Sequence, residues 1–187
     1  MPLRCAPCPL RATGRGFCPD WVGPAARLFF ILKAPGKYEI ALRRPLSGGT
    51  GGWFERHILS PFDLTWDDVA VLNVIRCYPG PTFPTGKKRQ EAVRICRQYD
   101  PELPELFVVT YNPANIFRDQ NTARFIIRAV EFALGFDQKV CLLCGQEALE
   151  TFAPELKGGL KKWQRHYFIR RSTTQSGGKI SEQGLSR

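Results

Sequence analysis

Seven cysteines occur in this chain, and four of them are spaced so that their thiolates could meet. Cys5 and Cys8 form a C-x2-C pair, the spacing that lets two thiolates bind one metal centre. Cys77 directly follows a strand-like run, and Cys96 comes nineteen residues later on a helical segment. A fold that returns that helix beside the sheet would assemble four thiolates, a set that both zinc and an iron-sulfur cluster accept. Spacing does not choose between the two. Cys141 and Cys144, three apart in an apolar run, face opposite sides of a strand and read as small core residues. Cys18 carries no assigned role.

The elements that must position these thiols are legible as alternating apolar runs and helical patterns. Four runs read as buried strands: Arg27 to Leu32, Val69 to Ile75, Leu106 to Tyr111 and Lys139 to Cys144. Each stops at a loop holding Gly, Pro, Asn or Cys: Ala34-Pro35-Gly36, Cys77-Tyr78-Pro79-Gly80, Asn112-Pro113 and Gly145. Helical patterns lie between them at about 51–59, 87–99, 120–134 and 146–152. This alternation predicts an α/β fold with a central four-stranded parallel sheet flanked by helices in three layers. In such sheets ligands bind at the carboxyl ends of the strands, where these loops lie. His166 to Ile169 reads as a further strand, residues 1–170 as one domain, and residues 171–187 as a disordered basic tail.

Charge points toward a polyanion. There are 27 Lys plus Arg against 17 Asp plus Glu, a formal net charge of +10, which makes nucleic acid the first partner to consider and an anionic membrane the second. Residues 157 to 187 hold eight Lys or Arg, Lys161 and Lys162 among them, against Glu182 alone, a run that suits a DNA backbone or a solvated tail. The absence of any long apolar run excludes a spanning helix. The start of the chain has no apolar signal-like core, and the cysteine number is odd, so reduced thiols and a cytoplasmic location are expected. His57 reads as a packing or surface residue and His166 as a weak phosphate contact; Trp53, Trp66 and Trp163 read first as core.

Several segments, in order, resemble the uracil-DNA glycosylase superfamily, in particular its iron-sulfur members of family four and their phage-type relatives. They are Cys5-Ala6-Pro7-Cys8-Pro9-Leu10, the loop Ala34-Pro35-Gly36-Lys37-Tyr38-Glu39, Arg44-Pro45-Leu46-Ser47-Gly48-Gly49-Thr50-Gly51, and Asn73-Val74-Ile75-Arg76-Cys77 with Cys96 beyond it. Tyr111-Asn112-Pro113-Ala114-Asn115-Ile116-Phe117-Arg118 is similar to the family's second motif, with Asn112 in place of a His.

The resemblance implies that Cys5, Cys8, Cys77 and Cys96 hold a structural four-iron, four-sulfur cluster, with zinc as the alternative metal. It implies a monomeric DNA-repair enzyme that flips uracil out of DNA and hydrolyses its N-glycosidic bond. On that reading Asn73 pairs with the uracil edge, Glu39 and Asn112 position or activate water, and Gly36 and Leu46 line the base pocket. Ser47, Gly49, Arg118, Lys161 and Lys162 then grip DNA, the Gly-rich loop from Ser47 to Gly52 by offering backbone N–H groups to a phosphate. Lys33 and Ile40 stand where the family has acidic residues, Leu46 where it has an aromatic stacker, and Asn112 where it has an imidazole. These departures motivate the alternative of a catalytically inactive iron-sulfur DNA-binding module of the same fold, associated with replication or repair. A zinc-ribbon-like nucleic-acid binder is a third reading, but four buried strands are more core than such a module needs.

Overall fold

The computed structural model of the chain describes residues 5–11, 16–80, 82–117, 119–154, 156, 158–159, 162, 166–169 and 181–184. The four expected strands form: β2 (Leu28–Leu32), β3 (Val69–Asn73), β4 (Leu106–Thr110) and β5 (Val140–Cys144), every residue of each buried apart from solvent. Continuous apolar runs of this kind belong to strands covered on both faces. Side chains alternate accordingly. Phe29, Ile31, Ala70, Leu72, Phe107 and Val109 pack in one core with Ala92 of α3 (Gly86–Arg97) and Ala148, Leu149 and Phe152 of α5 (Gln146–Phe152). Leu28, Phe30, Leu32, Val71 and Val108 pack in the other, with Phe54 of α2 (Gly49–Phe54) and Ile126 and Val130 of α4 (Gln120–Leu134).

The sheet is mixed and not the four-stranded parallel sheet expected. Its order is β1-β3-β2-β5-β4-β6-β7, with β1 (Trp21–Val22), β6 (His166–Ile169) and β7 (Ser181–Gly184) added at the edges. The inner four strands are mutually parallel, whereas β1 on β3, β6 on β4 and β7 on β6 are antiparallel. Edge strands need no continuous apolar run, so a two-residue β1 and a polar Ser-Glu-Gln-Gly β7 give no hydrophobic signal. β7 lies inside the segment expected to be a disordered tail; the rest of that tail lies outside the described residues.

The expected helix at 51–59 is a composite. α2 runs into a π-helical turn, Glu55–Leu59, and then a 3-10 turn, Ser60–Phe62, which contains Pro61. A short helix that the apolar pattern did not reveal, α1 (Lys37–Leu42), buries none of its residues. From β2 the chain moves to its neighbour β3, crosses to β4 on the far side, and returns to insert β5 beside β2. The winding therefore reverses between β2 and β5, which opens a crevice at the carboxyl ends of the strands. No helix among the described residues is long and apolar enough to cross a membrane.

Candidate functional site

A cleft of about 420 Å³ occupies those carboxyl ends, a size within the ~300–1,000 Å³ of small-molecule sites. Lys33, Ala34, Pro35 and Gly36 after β2 form one wall, Tyr78 to Gly80 and Phe83 after β3 another, and Asn112 and Ala114 after β4 a third. Tyr38 and Glu39 of α1, with Leu46, Gly48, Gly49 and Thr50, complete it. Of the residues singled out in the sequence, Gly36, Glu39, Leu46, Gly49 and Asn112 thus share one cleft. Ser47 and Lys162 are described but are not among its lining, and Arg118 and Lys161 lie outside the described residues.

Glu39 organises the loop around it. One carboxylate oxygen accepts the Gly36 backbone N–H, closing the first turn of α1, and the other accepts the Leu46 N–H. The carboxylate therefore spans the two loops that bring Gly36 and Leu46 to the cleft. Leu46 itself is buried with φ +54°, a left-handed conformation rare for a leucine. Ser47 donates its hydroxyl proton to the Arg44 carbonyl, which further fixes the turn. The Gly-rich helix start then packs directly on it: a Cβ on Gly51 would come 1.4 Å from the Leu46 carbonyl oxygen. Gly51→Ala should accordingly cost about 3 kcal/mol or more, read as a lowered urea midpoint, because backbone cannot yield as a flexible side chain does.

Asn112 caps the 3-10 turn Pro113–Asn115, its Oδ1 accepting the Ala114 N–H at 2.9 Å. Gly145, at φ +102° after β5, lies against it; a Cβ there would stand 3.1 Å from the Asn112 Cβ. Lys33 is ion-paired with Glu147 in the first turn of α5, and its ammonium lies 4.5 Å from the Phe83 ring centroid. Two aromatic side chains with most of their surface in solvent flank the glycines at the mouth: Tyr38, against Gly48, and Phe117, against Gly49.

Asn73 ends β3 in register with Leu32. Strand alternation places its side chain on the face of Val71, shared with Leu32 and Leu46 of the cleft wall. It is 3% exposed and does not itself line the cleft. Its Oδ1 has no hydrogen-bond partner, and no other buried side-chain oxygen or nitrogen among the described residues is left so. Buried polar groups are nearly always paired, and an orphan of this kind costs ~1–3 kcal/mol.

Cys8 and Cys77 pack in the core cluster that also holds Ala34 and Phe83 of the cleft wall. Cys5 and Cys8 bracket a turn in which the Cys8 N–H donates to the Cys5 carbonyl at 3.1 Å. Burial pushes the Cys77 thiol up to about 12, and the neighbouring thiols of Cys96, Cys8 and Cys5 add to the shift. Cys96 is likewise raised, chiefly by burial, with Cys8 and Cys5 contributing. No three His, Cys, Asp or Glu side chains among the described residues stand close enough together to hold a metal ion. Cys18 is fully buried, and burial with nearby Glu39 and Asp20 raises it to about 12. Cys141 and Cys144 are core residues, as expected.

Sequence reasoning missed the group that holds this assembly. Arg76, 4% exposed, lies one residue before Cys77. Its Nε donates to both oxygens of Asp20 at 2.9 and 2.7 Å, one terminal nitrogen donates to the Cys96 carbonyl, and the other to Asp100 at 2.6 Å. The Arg76 carbonyl accepts the Cys18 N–H at 2.9 Å. Burial works against the guanidinium charge, but Asp20 and Asp100 more than offset it, so its pKa is raised. One arginine thus ties the segment that follows Cys5 and Cys8 to the β3 loop and to α3. The only sequence signal for it is an arginine set between a buried strand end and a cysteine.

Of the tryptophans, Trp66 donates its indole N–H to Glu55 at 2.8 Å and Trp21 donates to the Trp66 carbonyl at 2.8 Å. The Arg44 guanidinium lies 4.4 Å from the Trp66 ring and 4.9 Å from the Trp21 ring. Trp53 stacks on His57 with centroids 5.3 Å apart. These contacts make Trp53, Trp66 and His57 packing residues.

Compared with known proteins, the chain matches no family model and no curated protein.

Proposed function

We propose that this chain is a uracil-DNA glycosylase of the iron-sulfur type, acting on uracil flipped into the cleft at the carboxyl ends of β2, β3 and β4. The observation that carries the reading is Asn73 Oδ1, buried and unpartnered on the sheet face that the cleft shares. An asparagine amide offers one acceptor and one donor side by side. Uracil presents the complement, an N3–H donor beside the O4 acceptor, whereas cytosine presents an acceptor beside an amine donor. The orphaned oxygen can accept the uracil N3–H while the amide nitrogen donates to O4. That arrangement reads the base and leaves the backbone to the loops.

Hydrolysis breaks the C1′–N1 bond, with the electron pair leaving on the base, and joins a water oxygen to C1′ as the water gives up a proton that ends, through solvent, on the released base. Backbone N–H groups of the Gly48–Gly49 loop suit the departing anion. Asn112, with Oδ1 already engaged, acts through its amide N–H groups, which can hold the water or the base. Glu39 keeps the two loops in place and lies close enough to the cleft to attract positive charge on the sugar. A four-iron cluster on Cys5, Cys8, Cys77 and Cys96 would supply structural tethering rather than chemistry; Arg76, beside Cys77 in the chain and bonded to the Cys96 carbonyl, supports that placement. The three-layer arrangement of the glycosylase superfamily also fits a sheet with helix-backed cores on both faces.

A base-release assay on anaerobically purified protein, with oligonucleotides holding one uracil, tests the reading: free uracil and abasic sites are expected, and none from the iron-loaded protein would overturn it. Iron and sulfide analysis tests the cofactor. Cys77→Ala or Cys96→Ala should remove most of both, whereas stoichiometric zinc in the parent protein would replace the cluster with the alternative metal.

A specific observation favours the second reading, an inactive iron-sulfur DNA-binding module. Both Glu39 oxygens already accept backbone N–H groups, and Asn112 Oδ1 is engaged in its cap. DNA binding by iron-loaded protein without base release would select it.

A further inference from the structure

A row of arginines lies beside the cleft. Phe83, in the cleft wall, has the Lys33 ammonium 4.5 Å and the Arg89 guanidinium 5.9 Å from its ring centroid. Arg89 in turn belongs to a second groove of about 680 Å³, which follows α3 from Gly86 to Gln98 along Glu150, Thr151 and Pro154. Three guanidinium groups, of Arg89, Arg94 and Arg97, line it, with Gln90 and Gln98 among them. Arg89 and Arg97 are two turns apart, about 12 Å along the axis at the α-helical rise.

The charges at the start of α3 do not serve the helix, whereas Arg94 and Arg97 in its last turn suit the dipole. Lys87, Lys88 and Arg89 stand at its N-terminal end, with no acidic residue in the first turn, where the helix dipole favours anions and disfavours cations. Each of the three guanidinium groups has one carboxylate beside it, and Lys87 and Lys88 add further positive charge to the same helix. Glu150 meets Arg89 at 2.7 Å and Glu91 meets Arg94 at 2.7 Å. Asp100 is 3.8 Å from Arg97 but already holds the buried Arg76. Ion pairs as exposed as the Arg94–Glu91 pair are worth ~0–1 kcal/mol, so they yield readily to a stronger anion. A guanidinium fork matches a phosphate in particular.

We propose that the groove between α3 and α5 is the path of a nucleic-acid strand leaving the cleft, its successive phosphates met by Arg89, Arg94 and Arg97. Phe83 is the join between the two sites, flanked by a cation of each. The proposal rests on the reading that the cleft receives a base from a nucleic-acid strand, but not on hydrolysis of that base.

The test is the salt dependence of binding to a fluorescein-labelled single-stranded oligonucleotide, followed by anisotropy, for the full chain and for R89Q/R94Q/R97Q. Each lost phosphate contact should lower the slope of log K against log salt by ~0.7. The triple variant should lose about 2 from the slope and bind at least about tenfold more weakly at low salt. Arg94→Gln alone, an exposed residue paired on its own helix, should lose about 0.7 and guards against a folding defect in the triple variant. Unchanged slopes in both variants would overturn the strand path, as would a parent protein that binds no oligonucleotide. Weakened binding to phosphatidylserine vesicles with an unchanged oligonucleotide slope would overturn it in favour of a membrane surface. A lowered slope in a protein that releases no uracil would uphold the path while sinking the glycosylase reading.

Discussion

Uracil release should fall on the order of 10²-fold or more when Asn73 is replaced by Ala, while the stability of the protein holds or rises by about 1 kcal/mol. The two effects have opposite signs for one reason. In the folded chain Asn73 Oδ1 is buried with nothing to accept from, so the amide costs free energy that is recovered only if a substrate supplies the N–H. Removing it relieves the fold and deprives the base of its reader. A structural asparagine would behave oppositely, because deletion of a satisfied buried amide strands its partner. Paired base-release rates and urea midpoints for the parent protein and Asn73→Ala separate the two. A large drop in midpoint with release intact would reject the assignment.

Arg76→Ala should be the most damaging single substitution in the cysteine region, lowering stability by about 3–5 kcal/mol, a large part of the ~5–15 kcal/mol typical of a domain. The substitution leaves two largely buried carboxylates, Asp20 and Asp100, facing one another without their cation, and removes the one side-chain donor to the Cys96 carbonyl. Iron content should fall with stability, since the segment after Cys8, the loop at Cys77 and α3 are joined through this one side chain. Arg76→Lys keeps the charge but cannot fork to three partners, and should recover only part. Combining Arg76→Met with Asp20→Asn and Asp100→Asn should restore much of the loss, because the unpaired charges go with it. Urea unfolding and metal analysis of the three variants check this; a triple variant no better than Arg76→Ala would show that the hydrogen-bond geometry, and not the stranded charge, sets the cost.

Strands with both faces covered were legible as apolar runs, and β2, β3, β4 and β5 form within a residue or two of the expected bounds. α4 and α5 coincide with their expected ranges, because each pairs an apolar stripe with a clear cap or glycine at its start. Of the added strands β6 forms where it was expected, at His166–Ile169, but β1 and β7 were not legible. β1 and β7 are short or polar, and α1 buries nothing, being held instead by the Glu39 carboxylate folded back on Gly36. Glu39 illustrates the same limit in the site: its residue type suggests chemistry, and only its two backbone partners reveal that it also fastens the loops.

By itself the sequence determined the alternation of buried strands and helices, the loops at the strand ends, the positive charge and the four candidate thiols, all of which are properties of local pattern and composition. The tertiary structure decided what stands beside what. It brought Gly36, Glu39, Leu46, Gly49 and Asn112 to one cleft and left Asn73 Oδ1 without a partner next to it. It also buried Arg76 among Asp20, Asp100 and the Cys96 carbonyl. Those partners lie 20 to 56 residues away in the chain, and pairing over such separations is fixed by how the sheet winds, a property that no local window of sequence contains.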